Sequence, residues 1–327
     1  MILGIDASNI SSGGGLTHLI EVLRSIDPYL HGFHRVIVWS SRKTLNQISD
    51  KYWLYKVQSP LLEKSLPYRI FWQRFILKKL AEQASCDLLF VPGGSDISGF
   101  KPIVAMSQNL LPFESSEIKR LGISLNIIRL YLLRRTQIHT FRSAAGVIFL
   151  SKYGRDAVIK VSGTLSCKST IISHGVNPLF FLTPRLHVIF REFSNDRPCR
   201  LLYVSIVDLY KHQWLIAEAV YQLRLMGIPI TLEFIGPSGG GIKRLQEAIN
   251  LFDPDGTFIT YYGSVPYNEL PEYYATADIG IFASTCESFG MILLEMMSAG
   301  LPIACSNRSA MPEILGNAGL YFDSEDI

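Results

Sequence analysis

The sequence predicts an α/β protein built from two tandem Rossmann-like domains, each a parallel sheet covered by helices. Short apolar runs of strand length alternate with longer amphipathic stretches, which is how parallel strands joined by helical crossovers read. The pattern occurs twice, on either side of a proline-bearing polar stretch. A chain of 327 residues is long enough to bury two cores.

In the first half, strands are expected at 2–5, 36–39, 88–91, 103–106, 147–150 and 170–173. In the second they are expected at 200–205, 231–235, 258–262, 279–283, 303–305 and 320–322. Pro178, Pro184, Pro198 and the run Ser194-Asn195-Asp196-Arg197 lie between the two sets. The expected division is residues 1–183 for the first domain, 184–199 for a linker and 200–327 for the second. After residue 322 only the acidic turn Asp323-Ser324-Glu325-Asp326 and Ile327 remain, which reads as a carboxyl-terminal end truncated before a closing helix.

Hydrophobic residues are 48% of the chain and charged residues 18%, the balance of a folded globular protein. A net charge of +3 is too small to call for nucleic acid. The five cysteines are widely scattered, without the close spacing of a zinc site or a disulfide framework. The sequence opens on a strand without a basic leader and contains no apolar run of about 18 residues. A cytoplasmic protein is expected.

The segment most informative about chemistry is Cys286-Glu287-Ser288-Phe289-Gly290-Met291-Ile292-Leu293-Leu294-Glu295, running on to Gly300-Leu301-Pro302. Gly290 opens a helix of good formers, Gly300 sits where a cap belongs, and Pro302 stops continuation. Glu287 then lies in the loop at the helix mouth and Glu295 inside the helix, about 8–12 Å further along the axis. The unpaired N–H groups around Ser288, Phe289 and Gly290 favour an anion such as a diphosphate. An ordinary amphipathic helix with two surface glutamates is the plainer reading.

This segment resembles the E-x7-E motif of family-4-type retaining glycosyltransferases (glycosyl transferases group 1), which have the GT-B fold. The resemblance continues through Tyr274-Ala275-Thr276-Ala277-Asp278 and Met311-Pro312-Glu313-Ile314 and covers most of residues 200 to 325. It implies that Glu287 approaches the transferred sugar and that Glu295 holds the ribose hydroxyls. It also implies that Lys211, after the strand at 200–205, clamps the donor phosphates. Ile206 stands where the family carries an arginine. A cation placed there stabilises the charge that grows on the departing nucleotide, and one missing donor of this kind costs about 10²–10³ in rate. A solvated loop lysine is the alternative for Lys211.

Two glycine clusters and two polar loops complete the candidate set. Gly13-Gly14-Gly15 precedes a helix expected from Leu16, so Gly14 and Gly15 can bring backbone N–H groups to a phosphate, although His18 breaks the dinucleotide fingerprint. Gly236, in Gly236-Pro237-Ser238-Gly239-Gly240-Gly241, would let the backbone approach the nucleotide; Gly239 to Gly241 read as a flexible surface turn. Gln108 and Asn109 occupy the positions of a His-Asp pair in the family and can hydrogen-bond an acceptor sugar without acting as a base near neutral pH. His174, in His174-Gly175-Val176-Asn177-Pro178, is a further acceptor-side candidate.

Asp253-Pro254-Asp255-Gly256 contains the D-x-D spacing of a metal site, but its Pro and Gly mark a turn. No metal and no cofactor are expected, the nucleotide-sugar being a co-substrate. The expected partners are a nucleotide-sugar donor, GDP- or UDP-linked, and a glycan or lipid-linked acceptor of cell-envelope polysaccharide such as lipopolysaccharide. Residues 118 to 142 carry Lys119, Arg120, Arg129, Arg134, Arg135 and Arg142 without an acidic residue. This stretch is either a helix packed on its apolar side or a face for an anionic membrane surface. Two rival functions stay open: a degenerate or truncated protein that binds nucleotide-sugar without turnover, and a GT-B sugar-nucleotide epimerase or hydrolase.

Overall fold

The computed structural model describes the chain except for residues 12, 121, 123, 124, 185–188 and 327, and it divides into two units, Met1–His174 and Gly175–Ile327. The first unit holds β1 (Ile2–Asp6), β2 (Arg35–Ser40), β3 (Leu54–Gln58), β4 (Leu88–Val91), β5 (Ile103–Ser107), β6 (Gly146–Phe149) and β7 (Lys168–Ile171). They pair in parallel in the order β3-β2-β1-β4-β5-β6-β7. The second unit holds β8 (Cys199–Val204), β9 (Ile230–Ile235), β10 (Ile259–Tyr261), β11 (Ile279–Phe282), β12 (Ile303–Ser306) and β13 (Leu320–Phe322). Their order, again all parallel, is β10-β9-β8-β11-β12-β13.

Central strands of such sheets are covered on both faces and therefore read as unbroken apolar runs. β2 is buried from Val36 through Ser40, and Leu202, Leu232 and Cys305 in the second sheet are wholly buried. The edges read differently. β3 was not expected, because Leu54-Tyr55-Lys56-Val57-Gln58 exposes Tyr55 and Gln58 and carries a lysine, so no apolar run announces it. β7, at the other edge, starts two residues before the expected position, on the exposed polar residues Lys168, Ser169 and Thr170.

In each sheet the chain adds strands outward on one side of its first strand and then crosses to the other side. Connections leave in opposite directions at that point, and a crevice opens outside the carboxyl ends of the two central strands. The point lies between β1 and β4 in the first unit and between β8 and β11 in the second.

The boundary differs from the expected one. Residues 175–183 belong to the second unit rather than the first. The reason is Phe180, which is fully buried in the second core with its ring edge-on to Tyr267 and Tyr274 at centroid distances of 5.2 and 5.6 Å. Leu182 N–H also donates to the carbonyl of Ser298 at 3.3 Å. Residues 185–188 of the expected linker lie outside the described residues. Among the described residues no helix is long and apolar enough to cross a membrane.

Candidate active site

The crevice between β8 and β11 is built by two loops tied to one another. After β8, Asp208 accepts a hydrogen bond from the N–H of Leu209 at 2.7 Å and starts a single turn, Leu209–Lys211. Beneath it, Tyr203 of β8 is almost fully buried. Its hydroxyl donates to the carbonyl of Lys211 and accepts from the N–H of Ala283, just past β11, at 3.2 Å. Burial pushes that phenol well above its ordinary pKa, so it stays protonated and keeps donating. Thr285 N–H donates to the carbonyl of Tyr210 at 2.8 Å, and His212, in the left-handed region at φ 53°, sets its ring nitrogen 3.2 Å from the Thr285 hydroxyl.

These ties bring Lys211 and Glu287 together. The Lys211 ammonium donates directly to Glu287 Oε1, with the lysine buried and the glutamate partly open. The ammonium also stands 4.9 Å from the centroid of Phe282 and 5.1 Å from that of Tyr210. Removing an ammonium from water is costly unless a partner and aromatic faces replace the lost hydration. The main chain of Glu287 is held at both ends by one side chain: Ser309 Oγ accepts from Glu287 N–H at 3.0 Å and donates to Glu287 C=O at 2.8 Å.

Gly290, at φ 89°, opens the helix Met291–Ser298 as expected, a conformation a side chain would oppose. Gly300, at φ 72°, closes it: its N–H donates to Met297 C=O at 3.0 Å and that of Leu301 to Met296 C=O at 3.1 Å, a Schellman cap. Phe289 is buried, so only its main chain is available to a ligand, whereas Ser288 is partly open.

Glu295 lies inside this helix, as expected. It is 3% exposed and accepts hydrogen bonds from Tyr274 at 2.9 Å and Tyr267 at 3.4 Å. Desolvation by burial raises its pKa to about 7, against the lowering effect of the two phenols.

Gly236 is required by packing of the second sheet. A Cβ there would lie 1.9 Å from the carbonyl oxygen of Ser205, and its φ is 145°. Gly239 to Gly241 are not a free turn either. A Cβ on Gly239 would meet Val207 O at 2.6 Å, Gly241 N–H donates to Val207 C=O at 3.1 Å, and Val207 N–H donates to Pro237 C=O at 3.0 Å. The glycines let the loop after β9 lie flat on the loop that carries Ile206 and Lys211. Ile206 itself is 38% exposed.

In the first unit the helix begins at Gly13 rather than Leu16, which puts Gly14 and Gly15 in its first turn. A Cβ on Gly15 would stand 3.0 Å from Gln108 Oε1, so helix start and post-β5 loop are neighbours. Asn109 is exposed and uses its side-chain oxygen to accept from Leu111 N–H at 3.1 Å, a local turn. His174 stacks obliquely on His18 with centroids 4.5 Å apart, and burial, with His18 beside it, lowers its pKa to about 3. His174 is therefore neutral at physiological pH.

Asp253 behaves as the turn reading requires. Its carboxylate accepts from the N–H groups of Thr257, Phe258 and Ile259 and from the Thr257 hydroxyl. Among the described residues no group of three or more His, Cys, Asp or Glu is placed to hold a metal ion.

The roles of Tyr203, Ser309, Thr285 and Tyr267 escaped the sequence reading, because a hydroxyl that meets a distant backbone group, or for Tyr267 the distant Glu295 carboxylate, leaves no local pattern. Tyr274 lies within the segment that carries the resemblance, and its bond to Glu295 gives it a role.

Residues 187–327 match the family model described as glycosyl transferases group 1. A protein of Escherichia coli, O-antigen chain mannosyltransferase B, is 44% identical over 187 residues, which are 57% of this chain and 46% of that one. The chain thus spans about half the length of that curated relative. A sucrose-phosphate synthase from Thermosynechococcus elongatus superposes with a TM-score of 0.75 at 17% identity, covering 100% of this chain and 86% of that one. Anabaena HepE in complex with UDP-glucose superposes with a TM-score of 0.70 at 17% identity, covering 99% and 87%. Residues 187–327 are thus similar to the glycosyl transferases group 1, and the chain as a whole has two parallel-sheet α/β domains, the GT-B fold.

Proposed function

We propose that the protein transfers a sugar from a nucleoside-diphosphate sugar to a glycan or lipid-linked acceptor, with retention of configuration and without a metal ion. Cell-envelope polysaccharide is the proposed setting. The pairing of Lys211 with Glu287 at the β8/β11 crossover carries this reading. It places a cation and a carboxylate where ligands of open parallel sheets bind, beside the amino terminus of Met291–Ser298.

Bound diphosphate would compete with Glu287 for the Lys211 ammonium. Charge growing on the leaving phosphate would draw the lysine further, and this gain in the transition state raises the rate. Glu287, freed from its partner, would face the sugar that carries the positive charge of the broken bond. The leaving phosphate itself can take the acceptor proton, so Gln108 and Asn109 need supply no base. The 44% identical relative, named a mannosyltransferase, makes a GDP- or UDP-linked hexose, mannose first, the donor to try. The acceptor side is assigned to the first unit, around Gln108, Asn109 and His174, with the backbone N–H groups of Gly14 and Gly15 assigned to a donor phosphate.

A second reading is favoured by Ile206. With isoleucine where the resemblance expects arginine, and with Lys211 already engaged by Glu287, the site can bind nucleotide-sugar without turning it over.

The experiment is a thermal-shift panel of UDP, GDP, ADP and their sugars on the protein and on Glu295→Ala, followed by product analysis with and without acceptor. A shift with one nucleotide, smaller in the variant, together with acceptor-dependent release of that nucleotide supports transfer. Binding without release supports the second reading. Release without acceptor points to hydrolysis, and no shift at all counts against the donor site.

A further inference from the structure

Glu295 is held by more than its own helix. Tyr274, from the helix Leu270–Thr276, is buried and donates to Glu295 Oε2 at 2.9 Å, whereas Tyr267, from the single turn Tyr267–Glu269, is partly open and donates to Oε1 at 3.4 Å. Phe180 covers both phenol rings edge-on and is wholly buried. It belongs to the turn Pro178–Phe180, among the first residues of the second unit, and that turn packs against the helix Met291–Ser298. The residues after it follow the same helix to its end: Leu182 N–H donates to Ser298 C=O at 3.3 Å, and a Cβ on Gly300 would stand 3.1 Å from Pro184 Cβ.

These contacts decide the protonation of the carboxyl. Among the described residues no charged side chain bears on Glu295; the titratable groups that face it are the two phenols, which donate to it, and Phe180 backs them with hydrocarbon. Apolar cover without a cation disfavours the ionised form. Here it outweighs the two hydrogen bonds, so the group holds its proton to about pH 7. Of the roughly four lone-pair positions on a carboxylate the phenols take two, which leaves one for each hydroxyl of a ribose. A proton on the carboxyl fills one of these.

We propose that Phe180, acting through the rings of Tyr267 and Tyr274, positions Glu295 so that only its ionised carboxyl binds a nucleotide, which releases a proton as its ribose hydroxyls arrive. The proton leaves the carboxyl for solvent, no covalent bond of the nucleotide changes, and the hydroxyls take the two remaining acceptor positions. Donor binding is then weak in acid and strong above neutrality. Phe180, Tyr267 and Tyr274 are positioning residues, since they act through Glu295. The proposal rests on the assignment of the donor ribose to Glu295 and adds what sets the charge of that group.

The test is calorimetric titration of the full chain with UDP-glucose, GDP-mannose and ADP-glucose at pH 6, 7 and 8. Each phosphate of these donors is substituted twice and keeps its single charge throughout, so the ligand adds no titration of its own. A carboxyl that must ionise with a pKa of about 7 gives a Kd about tenfold weaker at pH 6 than at pH 8, with close to one proton released per nucleotide at pH 6 in paired buffers of different ionisation enthalpy. Glu295→Gln should bind equally at the three pH values. Tyr274→Phe removes a hydrogen bond that favours the carboxylate and should move the midpoint toward alkaline pH, while Phe180→Ala admits water and should move it toward acid, each by about half a pH unit or more. A merely structural role would weaken binding at every pH and leave the midpoint in place. If Phe180→Ala does not fold, the conservative Tyr274→Phe carries the test. A Kd that is flat from pH 6 to pH 8, equally steep in Glu295→Gln, or unmoved in its midpoint by the other variants overturns the proposal and leaves the donor site standing. Binding of none of the three donors at any pH overturns the donor site itself, and the proposal with it.

Discussion

The Lys211 ammonium and the Glu287 carboxylate form a direct ion pair, joining the loop after β8 to the loop after β11. The two residues are 76 positions apart, and only the crossing of the chain from one side of β8 to the other brings them together. Breaking such a pair from one side leaves a partly buried charge without a partner. A double-mutant cycle with Lys211→Met and Glu287→Gln should give a coupling energy of about 1–3 kcal/mol in urea unfolding. Additivity of the two substitutions would mean that the pair is not formed in solution.

Tyr203→Phe keeps the ring in the core and removes the hydroxyl that ties Lys211 C=O to Ala283 N–H. Loss of a buried hydrogen-bonding group of this kind costs about 1–3 kcal/mol. The account expects that cost in stability, together with a fall in kcat larger than any rise in donor KM, because the lysine is positioned less well. Stability and kinetics both at the wild-type level would remove Tyr203 from the site.

The raised pKa of Glu295 sets a pH dependence with a definite sign. The folded state holds the proton to about pH 7, whereas an unfolded glutamate releases it near its model value of 4.5. The stability associated with the protonated group is present in full below the unfolded value and is lost as pH rises through the folded one. Glu295→Gln, uncharged throughout, should gain on the wild type between pH 5 and pH 8 by up to about 3 kcal/mol. Thermal melts at the two pH values measure it, and a difference independent of pH would show that the carboxylate is not desolvated as described.

Gly236→Ala tests the contact between the ends of β8 and β9. The added methyl has no room beside Ser205 O and the backbone angle is unfavourable to a side chain. A loss of about 3 kcal/mol or more is expected from strain and overpacking. A melting temperature within a degree of the wild type would contradict the packing.

The sequence made the central strands and the site helix legible for one reason: buried parallel strands are continuously apolar, and Gly290 and Gly300 punctuate the helix between two positive backbone angles. The edge strand β3 stayed hidden because half of it meets water. Lys211 and Glu287 were legible as candidates through resemblance, but their pairing was not, since it depends on sheet order. Glu295 was placed at the right helix position and assigned to the ribose, and its partners Tyr267 and Tyr274 could not be foreseen from spacing. The unit boundary was set after residue 183, where the prolines and polar run suggested a linker, whereas Phe180 already anchors the preceding segment to the second core.

The most direct test of the proposed transfer is to compare the protein with Lys211→Met in two assays, donor nucleotide binding by calorimetry and acceptor-dependent nucleotide release. If Lys211 stabilises the charge on the leaving phosphate, kcat falls by about 10²–10³ while the Kd for the nucleotide changes much less. Equal turnover by the two proteins, or a loss of binding as large as the loss of turnover, would contradict that role.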